Sequence, residues 1–230
     1  MIEQVLTALC KDRKHQSRVD QICNYLPITY DEDKFDTEDG PAINVYYEQY
    51  NRKEQTVLLS CHHDIVNKDS DNCLDNNASI YNLLLLTHYL RNPQYNLIYA
   101  FVDKEERGGA GIIRAAEMHD FDIHIDLELT AFGKDIAYQR YGGAPKIPGM
   151  LDCRLPNNNS EMLQRYKASK KQSYQGYCVT MLNSGEVPRH WRYIHTLKDE
   201  ESLANHDQMA SFRQRLIDLL SHPHSFSLHP

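Results

Sequence analysis

The sequence lacks the features that assign a chain to several common classes of protein. No stretch approaches the roughly 20 apolar residues of a membrane span, and no basic run of the kind that binds nucleic acid occurs. The six cysteines form no C-x-x-C pair, so the usual zinc-finger and thioredoxin-like motifs are absent. The N-terminus, with Glu3 close to its start, does not have the pattern of a secretory signal. We therefore expect a cytoplasmic protein with reduced thiols, whose partners include neither a membrane nor a nucleic acid.

The composition indicates a single globular unit. The chain has 230 residues, of which 41% are hydrophobic, and neither an internal repeat nor a linker divides it. We predict one compact domain over residues 1–220, followed by a flexible tail over residues 221–230. The formal net charge of -7 is compatible with a protein that concentrates carboxylates around metal cations. The sequence leaves open whether the chain is a monomer or forms a homo-oligomer.

The hydrophobic pattern predicts strands and helices in alternation. Apolar residues at helical spacing predict helices over residues 2–10 and 18–26. Two β-leaning pieces, 28–30 and 42–48, predict a hairpin at one sheet edge, with the acidic segment between them as the connection. Later strands are predicted at 56–61, 95–102, 121–129, 136–141 and 177–182, and later helices at 78–90, 112–118, within 157–169 and around 209–219. This alternation indicates an α/β protein with parallel neighbouring strands.

Polar side chains collect where the predicted strands end. His62 and Asp64 follow the strand 56–61, and side chains two residues apart in an extended segment project to the same side. Asp64 can therefore hold the imidazole of His62, as the partners of metal-binding histidines do. Asp75 stands just before the helix 78–90, which Asn76 or Asn77 is placed to cap.

Further carboxylates and a second histidine follow later strands. Glu105 and Glu106 come after the strand 95–102, Asp126 lies near the end of the strand 121–129, and His195 follows the last predicted strand. The two glutamates alone are more typical of a solvated loop, but nitrogen and oxygen ligands in this number suit zinc or a similar divalent ion. The set supplies two ions if one carboxylate bridges them. Of the adjacent glutamates, one can bind metal while the other acts as a base.

The order and spacing of these residues resemble a known family, the co-catalytic zinc peptidases. This family includes bacterial leucyl aminopeptidases, glutamate carboxypeptidase and, with one metal, glutaminyl cyclase. The similar pieces are CHHD at 61–64, LDNNAS at 74–79, EE-x-G at 105–108, the strand end at Asp126 and HT-x-x-D at 195–199. The resemblance covers about residues 56–129 and returns at 187–203. It implies a three-layer αβα sandwich with a mixed, mostly parallel central sheet.

The resemblance also implies a role for each matched residue. Five residues look like the ligands of two zinc ions: His62 and Asp126 of one, Glu106 and His195 of the other, and Asp75 of both. Glu105 looks like the general base that activates a metal-bridging water. Asp64 looks like the group that orients His62, and Asn76 would shape the bridge between the ions.

The sequence departs from the family at two places. Glu128 adds a carboxylate two residues after Asp126, where the family is usually apolar, and the familiar Ser-Asp-His segment before the last ligand is missing. Four aromatic residues are candidates either for a substrate pocket or for ordinary packing: Tyr138, Tyr141, Trp191 and Tyr193. Residues 134–143 form either a mobile lid or a hairpin. We interpret His63 and His190 as bystanders, with contact to substrate as the alternative for either.

These features predict a zinc-dependent exopeptidase with two metal ions per chain. Its most specific form is an aminopeptidase that hydrolyses the N-terminal peptide bond of short peptides, so the partner is a short peptide or an aminoacyl small molecule. Three alternatives stay open: a one-zinc acyltransferase of the glutaminyl cyclase type, a deacylase or carboxypeptidase acting on a small amide, and a non-catalytic binding protein on the same scaffold.

Overall fold

The computed structural model describes residues 4–27, 29–155, 158–183, 192–223 and 225–226. The helices among these residues are α1 (Gln4–Lys11), α2 (His15–Tyr25), α3 (Ala78–Tyr89), α4 (Ala110–Met118), α5 (Asn159–Ser169) and α6 (His206–Ser221). The strands are β1 (Tyr30–Thr37), β2 (Gly40–Gln49), β3 (Thr56–His62), β4 (Asn96–Val102), β5 (Ile123–Leu127), β6 (Asp135–Tyr141), β7 (Leu151–Asp152) and β8 (Gly176–Leu182).

The strands form one mixed sheet in the order β1, β2, β4, β3, β5, β8, β6, β7. The four central strands, β4, β3, β5 and β8, run parallel to one another. Antiparallel pairing joins β2 to β4 on one flank and β6 to β8 on the other. The carboxyl ends of the four parallel strands therefore share one edge of the sheet, where ligands of α/β proteins gather. The predicted mixed, mostly parallel sheet is confirmed.

Helices cover both faces of this sheet. Side chains of β3 alternate between the faces, so Leu59 lies in one apolar cluster and Leu58 in the other. The larger cluster receives α1, α2, α3 and α6, with Leu6 and Phe212 among its members. The smaller cluster receives α4 and α5. The result is the predicted three-layer αβα sandwich.

The acidic segment near the N-terminus is a strand, whereas we predicted a connection there. β1 pairs antiparallel with β2 along its whole length, and only Glu38 and Asp39 form the turn between them. Because β1 is the outermost strand, most of its charged side chains are exposed or half-buried. Charges of this kind protect a sheet edge from pairing with other chains. The low apolar content of β1 is the reason that we did not predict a strand there. An edge strand can have such a composition because it buries little surface.

Residues 134–143, predicted as either a lid or a hairpin, and Phe226, within the predicted tail, are both packed against the rest of the fold. Residues 134–143 form no lid, because β6 is hydrogen-bonded to β8 on one side and to β7 on the other. Within the predicted tail, Phe226 is buried and its ring packs against Tyr95 and Tyr177. The prediction of a frayed tail is wrong at this residue, since its aromatic ring buries apolar surface on the core.

None of the helices in the described part of the chain combines the length and the hydrophobicity that crossing a bilayer requires.

Candidate metal centre

Carboxylates and imidazoles meet at the carboxyl edge of the parallel strands. They form three overlapping groups whose ligand atoms lie within 4.8 Å of one another: His62, Asp75 and Glu128; His62, Glu105 and Glu106; Asp75, Glu106 and His195. Three of the elements that carry them are neighbours in the sheet, because His62 ends β3, a 3-10 turn with both glutamates follows β4, and Glu128 follows β5. The strand order thus brings together side chains that lie far apart in the sequence.

The first half of this centre is buried. His62 Nε2 lies 2.9 Å from Asp75 Oδ1 and 3.7 Å from Glu128 Oε2, and His62 Nδ1 lies 3.2 Å from Asp64 Oδ1. Burial opposes a charge on this imidazole, but Glu128, Asp64 and Asp75 together raise the pKa of His62 well above its ordinary value. The surroundings of His62 therefore favour a positive charge.

Glu128 faces His62 in place of the predicted Asp126. In the parallel register Ser60 lies beside Asp126, so two residues further on His62 lies beside Glu128. Asp126 is about 6.6 Å deeper in the sheet, where it accepts hydrogen bonds from Ser60 Oγ at 2.6 Å and Asn159 Nδ2 at 3.3 Å. Among the described residues, no metal-capable group includes Asp126. The strand register therefore places Glu128, and not Asp126, beside His62.

Asp64 ties His62 to the turn that carries the two glutamates. Besides its contact with the imidazole, its Oδ1 accepts a hydrogen bond from the Glu105 N–H, and its Oδ2 accepts one from the Glu106 N–H, each at 3.2 Å. Carboxylates behind metal ligands commonly orient them in this way. One side chain therefore fixes the relative positions of three members of the centre.

A buried aspartate holds the loop that carries Asp75. Asp199 accepts hydrogen bonds from the N–H groups of Leu74 at 2.6 Å and Asp75 at 3.2 Å. The peptide bond between Asp75 and Asn76 is cis, and Asn76 Nδ2 donates to Glu128 Oε2 at 3.0 Å. The predicted capping of α3 by Asn76 or Asn77 is wrong, since neither side chain accepts a hydrogen bond from the helix. Asn76 orients the Glu128 carboxylate instead.

The second half of the centre is closer to solvent. His195 Nε2 lies 2.8 Å from Glu106 Oε1 and 3.0 Å from Asp75 Oδ2. The hydrogen bond with Asp75 is the main reason why the pKa of His195 rises to about 9. Burial alone would raise the pKa of Asp75, but its contacts with His195 and His62 hold that pKa well below its usual range. Asp75 is therefore the carboxylate shared by the two halves.

Glu105 differs from the other carboxylates of the centre. No described residue forms a hydrogen bond or an ion pair with its carboxylate, whereas those of Asp75, Glu106 and Glu128 are all engaged. Burial raises the pKa of Glu105 to about 8, against the opposing effect of His62, and burial likewise raises the pKa of Glu106 to about 7. A free carboxylate whose pKa lies near neutrality is suited to accept and return a proton.

The donor set fits zinc. Carboxylate oxygens and imidazole nitrogens are its usual ligands apart from thiolates. Burial, with acidic neighbours such as Asp126, raises the pKa of Glu128 well above its ordinary value, even though His62 opposes this. Glu128 Oε1 is buried and has no partner among the described residues. Because an unpartnered buried oxygen is costly, a cation held between Glu128 and His62 would stabilise this arrangement.

An apolar pocket of about 40 Å³ lies beside the centre. Its walls include Leu129, Leu155, Cys178 and Ile194, next to the metal-capable Asp75 and Glu128. A group bound in this pocket is therefore in contact with the centre.

The structure describes three of the four aromatic residues that were candidates either for a substrate pocket or for packing. Tyr138 is buried in the core, where its hydroxyl accepts a hydrogen bond from the Ile147 N–H at 3.0 Å, so it is a packing residue. Tyr141 lies behind the pocket wall, because its hydroxyl accepts a hydrogen bond at 2.8 Å from Asn158, which lines the pocket. Tyr193 packs against the core next to Ile194. Trp191 and His190 lie outside the described residues.

Two residues of the centre did not receive a role from the sequence, Glu128 and Asp199. The signal for Glu128 was its spacing from Asp126, since residues two apart on a strand share a face and either carboxylate can reach a ligand there. Asp199 belongs to the matched HT-x-x-D segment, but no local pattern links it to Leu74, which lies 125 residues away.

A parallel sheet whose strand ends gather carboxylates and imidazoles around an unengaged buried glutamate is the arrangement of a metal-dependent hydrolase. The sequence gives the family: residues 44–220 match peptidase family M28, and the chain belongs to that family. No curated protein sequence matches this chain.

Solved structures share the fold at low sequence identity. The glutaminyl cyclase of Porphyromonas gingivalis is 14% identical, with a TM-score of 0.72 over 95% of this chain and 96% of that chain. A Zn-dependent exopeptidase of Parabacteroides distasonis is 14% identical, with a TM-score of 0.70 over 96% and 97%. The LapA aminopeptidase of Legionella pneumophila is 14% identical, with a TM-score of 0.63 over 96% and 71%. The chain thus has the fold of zinc exopeptidases and of glutaminyl cyclase.

Proposed function

We propose that this chain is a di-zinc exopeptidase that acts as an aminopeptidase on short peptides. The observation that carries the proposal is the free carboxylate of Glu105, which lies within 4.8 Å of ligand atoms of His62 and Glu106. A hydrolase of this type needs one base that is not occupied as a ligand, and Glu105 meets that need.

The overlapping groups support an assignment of ligands. His62 and Glu128 would hold one zinc ion, Glu106 and His195 would hold the second, and Asp75 lies within reach of both. Bound zinc supplies Lewis-acid polarisation of a carbonyl oxygen and a nucleophilic water at neutral pH. Asp64 and Asp126 are not ligands in this assignment. Asp64 orients His62 and the two glutamates, and Asp126 belongs to the hydrogen bonds within the sheet.

Glu105 moves the proton in this reaction. It takes a proton from the attacking water and delivers it to the nitrogen of the leaving amine. Without metal, burial raises the pKa of Glu105 to about 8. Cations bound close by lower that pKa, so the carboxylate is ionised at neutral pH, as a general base must be.

A centre with two zinc ions favours the amino end of a substrate. One bound ion would hold the free amine while the other would polarise the carbonyl oxygen, so binding would begin at the chain end. The apolar pocket beside Asp75 and Glu128, at about 40 Å³, has room for a small side chain of the first residue. Together these features favour an aminopeptidase over a carboxypeptidase.

The substitution Glu105→Gln tests the mechanism. Removal of the base should reduce turnover of aminoacyl amides by about 10²- to 10⁴-fold while the zinc content stays at the wild-type level. The exposed Glu54→Gln variant is the matched control and should behave like wild type. Normal turnover of Glu105→Gln with full zinc content would show that the assigned base is wrong.

A substrate panel tests the aminopeptidase assignment. Zinc-reconstituted protein is offered aminoacyl amides, free dipeptides and their N-blocked counterparts. Chelator-sensitive cleavage restricted to free amines is expected. Cleavage of the blocked compounds would indicate a deacylase or carboxypeptidase, and full zinc content without any cleavage would indicate a binding protein.

The second candidate is a one-zinc acyltransferase of the glutaminyl cyclase type. The observation in its favour is that His62 already lies among Asp64, Asp75 and Glu128, so its imidazolium can supply the positive charge of the buried half without a metal. A single ion would then lie with Asp75, Glu106 and His195. One zinc per chain, with cyclisation of N-terminal glutamine in place of hydrolysis, would establish this alternative.

A further inference from the structure

A second group of metal-ligating side chains lies outside the centre already described. His15 begins α2, His63 follows β3 and Asp103 follows β4, and their ligand atoms lie within 4.8 Å of one another. His15 Nε2 lies 2.7 Å from Asp103 Oδ2, and the ring centres of His15 and His63 are 5.4 Å apart. Two imidazoles and one carboxylate form a common three-ligand set for zinc.

His63 has the hydrogen-bonding pattern of a metal ligand. Its Nε2 lies 2.8 Å from the carbonyl oxygen of Ile43, an acceptor only, so Nε2 carries a proton and the lone pair of the neutral ring is on Nδ1. Nδ1 is buried and has no partner among the described residues. Histidines that bind a metal through one nitrogen usually donate the other to a carbonyl or carboxylate. The bystander role that we predicted for His63 leaves this buried nitrogen unexplained.

Asp103 is held in place by the backbone around it. Its Oδ2 accepts a hydrogen bond from the Ile43 N–H at 3.0 Å, and its Oδ1 accepts one from the Lys104 N–H at 2.8 Å. The carboxylate is only 1% exposed. A buried carboxylate fixed through both oxygens has the preorganisation that ligands of metal sites require.

A cavity of about 550 Å³ gives access to this group, because His15, His63 and Asp103 all line it. Its lining also contains cationic side chains, together with the carboxylates of Asp64 and Glu106: Arg13, Arg18, Lys68, Lys104 and Arg107. Arg13 pairs with Asp71 at 2.9 Å, and Arg18 donates to the backbone carbonyl of His63 at 3.0 Å and to Asn77 at 2.7 Å. The cavity is therefore wide enough for a hydrated ion to reach the three residues.

We propose that His15, His63 and Asp103 form a further site for a divalent transition metal ion of the zinc class. Ligand atoms around one tetrahedral zinc ion lie roughly 3.3 Å apart, so the group needs only a small rearrangement to bind it. His15 can provide that movement, since its side chain is 42% exposed, while the other two ligands are buried. A bound ion would join the N-terminal helix α2 to the ends of β3 and β4.

Metal counting tests this site. Chelator-stripped wild-type protein and His15→Gln are titrated with ZnCl₂ in a calorimeter, and the bound zinc is counted after desalting. His15→Gln should bind one equivalent fewer than wild type. The matched control is His206→Gln, which also replaces an exposed histidine at the first residue of a helix and should bind as many equivalents as wild type. The histidines near the C-terminus are the same in all three proteins, so any zinc they bind cancels in the comparison.

A second variant and a second readout keep the test decisive. Asp103→Asn should also bind one equivalent of zinc fewer than wild type. In wild type this additional equivalent should raise the midpoint of thermal unfolding, and in both variants that increase should be missing. Equal zinc binding by wild type, His15→Gln and Asp103→Asn would overturn the proposal. The difference between variants does not depend on the catalytic activity, so failure of this site and failure of the proposed aminopeptidase are distinguishable.

Discussion

The two halves of the metal centre are built from different kinds of structure. In the first half, His62 and Glu128 stand at the ends of adjacent parallel strands, and their side chains are 1% and 12% exposed. In the second, Glu106 and His195 stand on a turn and a loop, with side chains 14% and 43% exposed. Strand register fixes the first pair, whereas the second pair depends on the position of two connections.

This difference assigns different tasks to the two halves. Ligands on strands keep their geometry and exclude water, so an ion bound there should exchange slowly. Ligands on a turn and an exposed loop can adjust as substrate enters and product leaves. Asp75 contacts both His62 and His195, so it couples the rigid half to the adjustable half. Substitutions that act on one half, on both or on neither can test this division.

The largest effect is expected from Asp75→Asn, which acts on both halves. Loss of the shared negative charge should prevent tight binding of either ion, and the activity should fall to that of the chelator-treated protein. Zinc content after dialysis and turnover of aminoacyl amides measure this. The control Asp69→Asn, at an exposed position nearby in the sequence, should retain both properties. If Asp75→Asn retained two tightly bound ions, Asp75 would not be a shared ligand.

Glu128→Gln should affect the buried half alone. This variant should lose one zinc ion and more than about 100-fold of the activity, because even residues behind a metal ligand contribute 10–100-fold. Asp126→Asn is the matched control two residues earlier on the same face, and it should retain both ions. It should cost about 1 kcal/mol of stability through its weakened hydrogen bonds. If Asp126→Asn lost one zinc ion and Glu128→Gln retained both, Asp126 would be the ligand.

Asp64→Asn should have a smaller effect that reaches both halves. Asp64 contacts His62 and accepts hydrogen bonds from the N–H groups of Glu105 and Glu106. Loss of its negative charge should therefore lower the affinity for zinc by about 10–100-fold without abolishing binding. Competition with a coloured chelator measures that affinity. An unchanged affinity would mean that the backbone alone positions these residues.

The smallest effect is a pH dependence of stability in chelator-treated protein. The pKa of Glu105 is raised to about 8, and that of Glu106 to about 7, mainly by burial, while hydrogen bonding to Asp75 raises the pKa of His195 to about 9. A raised pKa means that the folded chain keeps its proton to higher pH than the unfolded chain. Stability should therefore fall as the pH rises from about 6.5 to 8, by about 2 kcal/mol from Glu105 alone.

Thermal unfolding at a series of pH values measures this dependence. Zinc should remove or reverse the slope, since metal binding displaces protons from the ligands and strengthens as the pH rises. Glu105→Gln should reduce the slope of the chelated protein, and Glu106 and His195 should maintain the remainder. A metal-free stability that increases between pH 6.5 and 8 would contradict the assigned pKa shifts.

Most of the fold followed from the sequence because its central strands and helices have strong periodic patterns. The buried runs that became β3, β4 and β8 have few polar residues, so only the ends of these strands were uncertain. β1 was missed for a physical reason: an edge strand needs little apolar surface, and its sequence reads as a loop. The sequence placed a hairpin at a sheet edge, but it did not show that the first strand extends through the acidic segment.

The candidate site was predictable where residues adjoin a strand end and unpredictable where register decides. His62, Glu105 and Glu106 stand immediately after buried runs, so their place at the sheet edge followed from the sequence. Asp126 and Glu128 share a face, and only the pairing of β3 with β5 determines which of them lies beside His62. The register between two strands that are distant in the sequence depends on the tertiary structure. The sequence therefore did not decide between Asp126 and Glu128, and we chose Asp126 from the family resemblance.

Zinc-edge anomalous diffraction from crystals of the zinc-loaded protein tests the central claim most directly. Two anomalous peaks are expected in the centre, one between His62 and Glu128 and the other between Glu106 and His195, with Asp75 in contact with both. A peak coordinated by Asp126, or a single peak confined to Asp75, Glu106 and His195, would contradict the division of the centre into a buried and an exposed metal site.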